Sequence, residues 1–203
     1  FANNNKKLIR KISINHEISS HGYFHSSFEI KDLKRSRLAL ERIINKRVRG
    51  FRMPRLKEIS KKEIAKAGYY YDSSISPTYL PGRYNHLKEK RTFYFSDNIL
   101  EIPISVTPLI RFPLFWISFK KLPLFLYKLI SRKTLFKDKY LTLYFHPWEF
   151  SDLRSYKLPR LVKRPSGDKL LKKLESYLKW LKRNGEFITM AEFMNGLSPS
   201  SGL

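Results

Sequence analysis

The sequence contains no cysteine. Disulfide scaffolds, thiolate zinc sites and cysteine nucleophiles are therefore excluded, the redox compartment stays unassigned, and any metal must be held by His, Asp or Glu. Glycine is scarce: eight residues, widely spaced, form no Gly-x-Gly dinucleotide loop, no phosphate loop and no Gly-x-Ser-x-Gly elbow. Nucleotide enzymes and serine hydrolases recede accordingly. Acids are few, 17 against 41 Lys and Arg, for a formal charge of +24 at pH 7. That balance favours an anionic partner, whether phosphate polymer, acidic glycan or lipid headgroup, without choosing among them. Long apolar runs are missing too. Lys120, Lys121 and Lys128 interrupt the most apolar stretch, 112–130, well short of the roughly 20 apolar residues of a membrane span. The opening Phe1-Ala2-Asn3-Asn4-Asn5-Lys6-Lys7 has neither Met nor an apolar signal core, and is read as starting inside a longer protein.

What is present suffices for a folded domain, or a tight pair: 203 residues, 42% hydrophobic and 15% aromatic. Short apolar runs alternate with longer helical patterns, which predicts an α/β class. Helices are expected at Lys6–Ile12, Ile30–Ile44 and Ser60–Ala67, the last with Ser60 as N-cap and Gly68 as stop. Strands are expected at His16–Ser20, Val48–Arg52, Ile99–Val106 and Leu141–Phe145, with Tyr69-Tyr70-Tyr71 leading into Asp72. Leu170, Leu171, Leu174, Tyr177, Leu178 and Leu181 recur at helical spacing, so Asp168–Arg183 reads as an amphipathic helix ended by Asn184-Gly185. Pro77–Lys90 reads as a long surface loop.

Two histidine pairs invite a metal reading. His16 and His21 are five residues apart, whereas one helical face requires a spacing of four, so a zincin site is rejected. His21 and His25 do have that spacing and follow an expected strand. A turn there could aim both rings at one ion, or the pair could simply pack.

Four segments, in order, carry a resemblance: Asn15-His16-Glu17-Ile18-Ser19-Ser20-His21-Gly22-Tyr23-Phe24-His25, Gly50-Phe51-Arg52-Met53-Pro54, Tyr71-Asp72-Ser73-Ser74-Ile75 and Tyr144-Phe145-His146-Pro147-Trp148-Glu149. Together they resemble the motifs of the polysaccharide deacetylases, the NodB-homology domains of carbohydrate esterase family four, in the branch associated with exopolysaccharide export. The resemblance implies a distorted (β/α)7 barrel, lacking its first strand in this chain, over residues 1–197, with 198–203 as a flexible tail. It implies that His21 and His25 bind a divalent metal, zinc before cobalt, nickel or manganese. Arg52 corresponds to the arginine that orients the catalytic base, and His146 to the histidine that protonates the leaving amine. Asp72 matches, more loosely, the carboxylate that supports this histidine. Pro54 and Trp148 are the substrate-binding candidates. The family's first motif, an acidic pair supplying the base and a third metal ligand, would precede the first helix and is not in this chain. Before His21 the only acid is Glu17. The chain alone is therefore expected to be inactive or nearly so.

Taken singly, Arg52 could be a surface arginine, Asp72 a strand-end cap and His146 a hydrogen-bonded core histidine. Arg111–Lys139 mixes Phe112, Phe115, Trp116, Phe119, Phe125 and Tyr127 with Lys120, Lys121, Lys128, Arg132 and Lys133. It reads either as a helix packing its aromatic face inward or as an interfacial surface whose lysines meet anionic headgroups. Trp148 is either core or a sugar-stacking platform. The function expected is metal-dependent deacetylation of N-acetylated sugars in a cell-surface polysaccharide or lipid-linked precursor, in the cytoplasm or at the inner membrane's surface. Its rivals are a basic binding protein for anionic glycan or nucleic acid, and a decayed deacetylase that binds glycan without turnover. Basic residues spread through the chain, with no recognition module, argue against specific nucleic-acid binding.

Overall fold

The computed structural model describes residues 1–197, and the tail expected at 198–203 lies outside them. The chain forms two compact units. The first comprises Phe1–Ile75, Phe93–Ile102 and the chain from Ile188 on; the second comprises Ser76–Thr92 and Pro103–Phe187.

In the first unit, α1 (Lys6–Ile12) and α2 (Lys31–Ile44) match the expected helices. Asn45 ends α2 in the left-handed conformation, a role asparagine fills with little strain. Strand β1 (Gly50–Phe51) follows, then α3 (Lys61–Lys66) and β2 (Tyr71–Asp72). Ser60 is at the N-cap of α3, but its side chain makes no capping bond. In the second unit, β3 (Tyr79–Leu80) and β4 (Tyr84–Asn85) pair antiparallel inside the segment read as a loop. They turn at Pro81-Gly82, where Gly82 has a positive φ. The chain then returns to the first unit for β5 (Tyr94–Ser96) and β6 (Ile99–Glu101), a hairpin the sequence reading missed. Its two turn residues, Asp97 and Asn98, both have positive φ, as a tight hairpin connection requires.

The sheet of the first unit runs β1-β2-β6-β5, with the first three strands parallel and β5 antiparallel to β6. The expected strand His16–Ser20 reduces to one bridging residue, Ser20, opposite Phe51. The turn after α1 takes His16, whose N–H donates to the Ile12 carbonyl. Ile99–Val106 likewise shortens to three residues, because Pro103 has no N–H to extend the ladder. Leu33, Val48, Phe51, Ile64, Tyr69 and Ile99 form the core of this unit.

The second unit holds α4 (Trp116–Lys121), α5 (Leu124–Asp138), α6 (Arg160–Lys163) and α7 (Asp168–Lys182); α8 (Met190–Leu197), not foreseen, belongs to the first. Arg111–Lys139 is thus two helices. Pro123 excludes Leu122 from helical geometry, and Leu122 is extended with ψ 145°. Leu141–Phe145 forms no strand: Thr142 accepts a bond from Ser105 N, but its own N–H donates to the Ser105 hydroxyl. A side chain has replaced the ladder partner. Leu114, Phe119, Tyr127, Leu170, Tyr177 and Leu181 make this unit's core. No helix among the described residues is long and apolar enough to cross a membrane.

Candidate active site

Three of the four motifs converge in the first unit. Gly22, between the two histidines, has φ 81°, and a Cβ there would lie 3.1 Å from Pro54 Cγ. Only glycine makes this turn without strain. The turn brings the His21 and His25 rings to 5.6 Å between centroids, both exposed. His21 Nδ1 bonds the Arg52 carbonyl at 2.9 Å, so that nitrogen carries the hydrogen. The Arg52 guanidinium in turn donates to the Ser73 carbonyl at 2.8 Å and to its hydroxyl at 2.7 Å. Ser74 Oγ accepts the Met53 N–H at 2.8 Å. The histidine turn is thereby tied, through Arg52, to the Tyr-Asp-Ser-Ser segment. Pro54 is buried behind Gly22. It shapes the turn from within.

Asp72 departs from expectation. It is buried opposite Glu101 on the neighbouring parallel strand. Lys61 Nζ donates to both carboxylates, at 2.5 Å to Asp72, and the Ser74 hydroxyl donates to Asp72 at 2.5 Å. Two buried carboxylates exceed what one ammonium can neutralise. Burial, then the Asp72 charge, push the Glu101 carboxyl up to about 8, only partly opposed by Lys61. Burial alone would lower Lys61, but Asp72 and Glu101 reverse this and hold its ammonium above the ordinary range. Asp72 thus serves a buried ion cluster.

The acid Glu17 is committed as well. It accepts from the Tyr71 hydroxyl at 2.9 Å and from the Ala191 N–H at 3.1 Å. Tyr71 lies so close over Gly50 that a Cβ there would sit 1.9 Å from Tyr71 Cζ. Burial, reinforced by Glu17, raises the Tyr71 hydroxyl far above its ordinary range.

In the second unit, the carboxylate that supports His146 is Glu149, which the sequence reading passed over. Pro147 starts a 3-10 turn, Pro147–Phe150, that folds Glu149 back beneath His146. One carboxylate oxygen accepts both the His146 backbone N–H and its Nδ1–H, each at 2.8 Å. The signal was the i, i+3 spacing across a proline turn. The His146 ring stacks on Trp148 at 5.2 Å and meets Trp116 and Tyr144 edge-on at 5.2 and 5.5 Å. Trp148 is 40% exposed, so the ring is available at the surface. Behind them Lys120 is buried, 4.0 Å from the second Glu149 oxygen, and donates to the Val162 carbonyl at 2.7 Å. Burial lowers this ammonium, with Glu149 partly offsetting the effect. Lys120 therefore does not belong to the basic surface expected around this segment.

Among the described residues, no group of three or more His, Cys, Asp or Glu is arranged to hold a metal. The His21 and His25 rings are adjacent, and the bond from His21 Nδ1 leaves its other ring nitrogen unprotonated, the form in which an imidazole can accept a cation.

Among curated proteins none matches the chain. Among solved structures, a protein of Mycobacterium smegmatis proposed to be a polysaccharide deacetylase is 27% identical, over 51% of this chain and 37% of its own length, with a TM-score of 0.42. Puue allantoinase is 15% identical, over 100% of this chain and 66% of its own length, with a TM-score of 0.58. This second likeness is one of fold. The chain thus spans less than two thirds of either protein. A family profile described as a domain of unknown function, DUF3473, matches residues 73–195. That match covers more than half of the chain, which therefore belongs to the DUF3473 family.

Proposed function

We propose that this chain carries part of the site of a hydrolytic deacetylase for N-acetylated sugars of a polysaccharide or lipid-linked precursor, on a distorted (β/α)7 barrel. The observation that carries the reading is the His21–His25 pair, 5.6 Å apart, with His21 oriented by the Arg52 carbonyl. A divalent cation, zinc before cobalt, nickel or manganese, would be held by these imidazoles together with solvent or a carboxylate, and would polarise the acetamide carbonyl and its attacking water. Water would add to the acetyl carbon as a base takes its proton, the C–N bond would break, and the departing nitrogen would take a proton from His146 as acetate forms. Glu149 holds the His146 ring in the tautomer with hydrogen on Nδ1, leaving Nε2 to exchange the proton. Trp148 offers an exposed aromatic face to a sugar ring.

A second reading, glycan binding without turnover, is favoured by the commitment of Glu17 to Tyr71 and Ala191. With Glu17 committed in this way, acetate release by the chain is expected to be slow, since a general base is worth about 10²- to 10⁴-fold. Two measurements separate the readings. Titration calorimetry with Zn²⁺ should show binding that His25→Ala abolishes; unchanged binding by that variant removes the metal site. Acetate release from acetylated chitooligosaccharides in the presence of Zn²⁺ should then be suppressed by His146→Ala. Glycan binding without release, even then, supports the second reading.

A further inference from the structure

Helix α5 buries hydroxyls beside its apolar core contacts and exposes large apolar side chains. Its buried residues include Ser131 and Thr134, whose hydroxyls donate to the Tyr127 and Ile130 carbonyls of their own helix at 2.7 and 2.9 Å. Tyr127 completes that face, packed on Phe119 and Tyr177. The opposite face carries Phe125, Leu129 and Phe136, which are 69%, 40% and 77% exposed. The spacing of 125, 129, 132 and 136 places these three with Arg132 in one line along the helix. Arg132 and Lys133 are exposed and have no ion-pair partner among the described residues, and Lys137 and Lys139 extend the basic edge. The Lys139 ammonium lies 4.8 Å from the Phe136 ring centre. Large apolar side chains in a row, on the solvent side of a helix whose core side is partly polar, reverse the usual soluble pattern.

We propose that this face of α5 docks on an anionic lipid surface, with Phe125, Leu129 and Phe136 entering the headgroup boundary while Arg132, Lys133 and Lys137 meet phosphates. Charge complementarity selects this occupant. The row is bordered by cations, and the whole chain carries +24. A second copy of the chain would have to bring the same cations face to face, and a neutral apolar partner would leave them unanswered. A bilayer with anionic headgroups answers both the rings and the charges, lying parallel to the helix axis. The 15 residues of α5 are sufficient for interfacial binding without spanning. The inference does not depend on the deacetylase reading.

The test is co-sedimentation of the protein with phosphatidylcholine vesicles and with 3:1 phosphatidylcholine–phosphatidylglycerol vesicles, at low and high salt. Pelleting is expected with the anionic vesicles at low salt, and its loss at high salt. Phe125→Ser/Phe136→Ser and, separately, Arg132→Glu/Lys133→Glu should each weaken partitioning by about tenfold or more, with unchanged circular dichroism because all four side chains are exposed. Equal pelleting with neutral and anionic vesicles overturns the electrostatic role. Unchanged binding by the Phe125→Ser/Phe136→Ser variant overturns the placement on α5. Absence of vesicle binding, with a concentration-dependent dimer in sedimentation velocity that this variant abolishes, assigns the face to a second copy.

Discussion

At the scale of single residues, the buried charges make the sharpest demands. Among the described residues, Lys61 is the cation paired with both the Asp72 and the Glu101 carboxylates. Lys61→Met leaves both buried without a cation and should lower unfolding stability in urea by about 3–5 kcal/mol. His146 and Glu149 form a hydrogen-bonded pair in which Glu149 is wholly buried. Glu149→Gln keeps the volume but can no longer favour hydrogen on Nδ1 through a charge. The ¹⁵N shifts of neutral His146 should move from the Nδ1–H tautomer toward a mixture. On the proposed deacetylase reading, acetate release should fall by roughly tenfold or more, since an ill-oriented imidazole is a poor proton donor. A purely structural Glu149 would change stability and leave the tautomer untouched.

At the scale of elements, short strands are held by side chains as much as by ladders. Gly50 and Tyr71 are register partners on β1 and β2, and the tyrosine ring occupies the space that any side chain at 50 would need. Gly50→Ala should therefore cost about 1–3 kcal/mol in thermal or urea unfolding, a penalty of overpacking. Tyr71→Ala in the same chain should recover part of it, and strict additivity of the two changes would show that the ring is not the obstacle. Prolines set the other boundaries: Pro103 ends the ladder of β6, and Pro123 divides α4 from α5. The latter break lets α4 bury Phe119 and Lys120 while α5 exposes Phe125.

At the scale of the whole molecule, charge governs how stability responds to conditions. Glu101 binds its proton more tightly folded than unfolded, where its ordinary value is 4.5. The folded state therefore holds more protons between that value and the raised one, and stability falls as pH rises across this window. Glu101→Gln should flatten that slope in urea titrations between pH 5 and about 8; an unchanged slope assigns it to other groups. The +24 charge repels itself at low ionic strength. Raising salt from about 10 to 150 mM shortens the screening length from about 30 to 8 Å and should raise Tm, while weakening vesicle binding.

Legibility followed the range of the forces involved. The helices α2 and α7 were readable almost to the residue, because their apolar periodicity and their stops are local: Asn45 for one, Asn184-Gly185 for the other. Residue spacing likewise determined the histidine pair, and composition the absence of thiol chemistry and the charge. The β5–β6 hairpin was missed, because its brief strands present only a short alternating pattern before a turn of Asp97 and Asn98. Asp72 and Glu149 lay beyond sequence reasoning in a different way. A carboxylate is equally suited to a lysine, a histidine or water, and its partner is chosen by strand register and by a proline turn. Tertiary structure decided that Asp72 faces Glu101 and Lys61, and that Glu149 holds His146. It decided, too, that Lys120 is buried while Phe125 and Phe136 are exposed, because a helix's buried side is set by what packs against it rather than by its own composition.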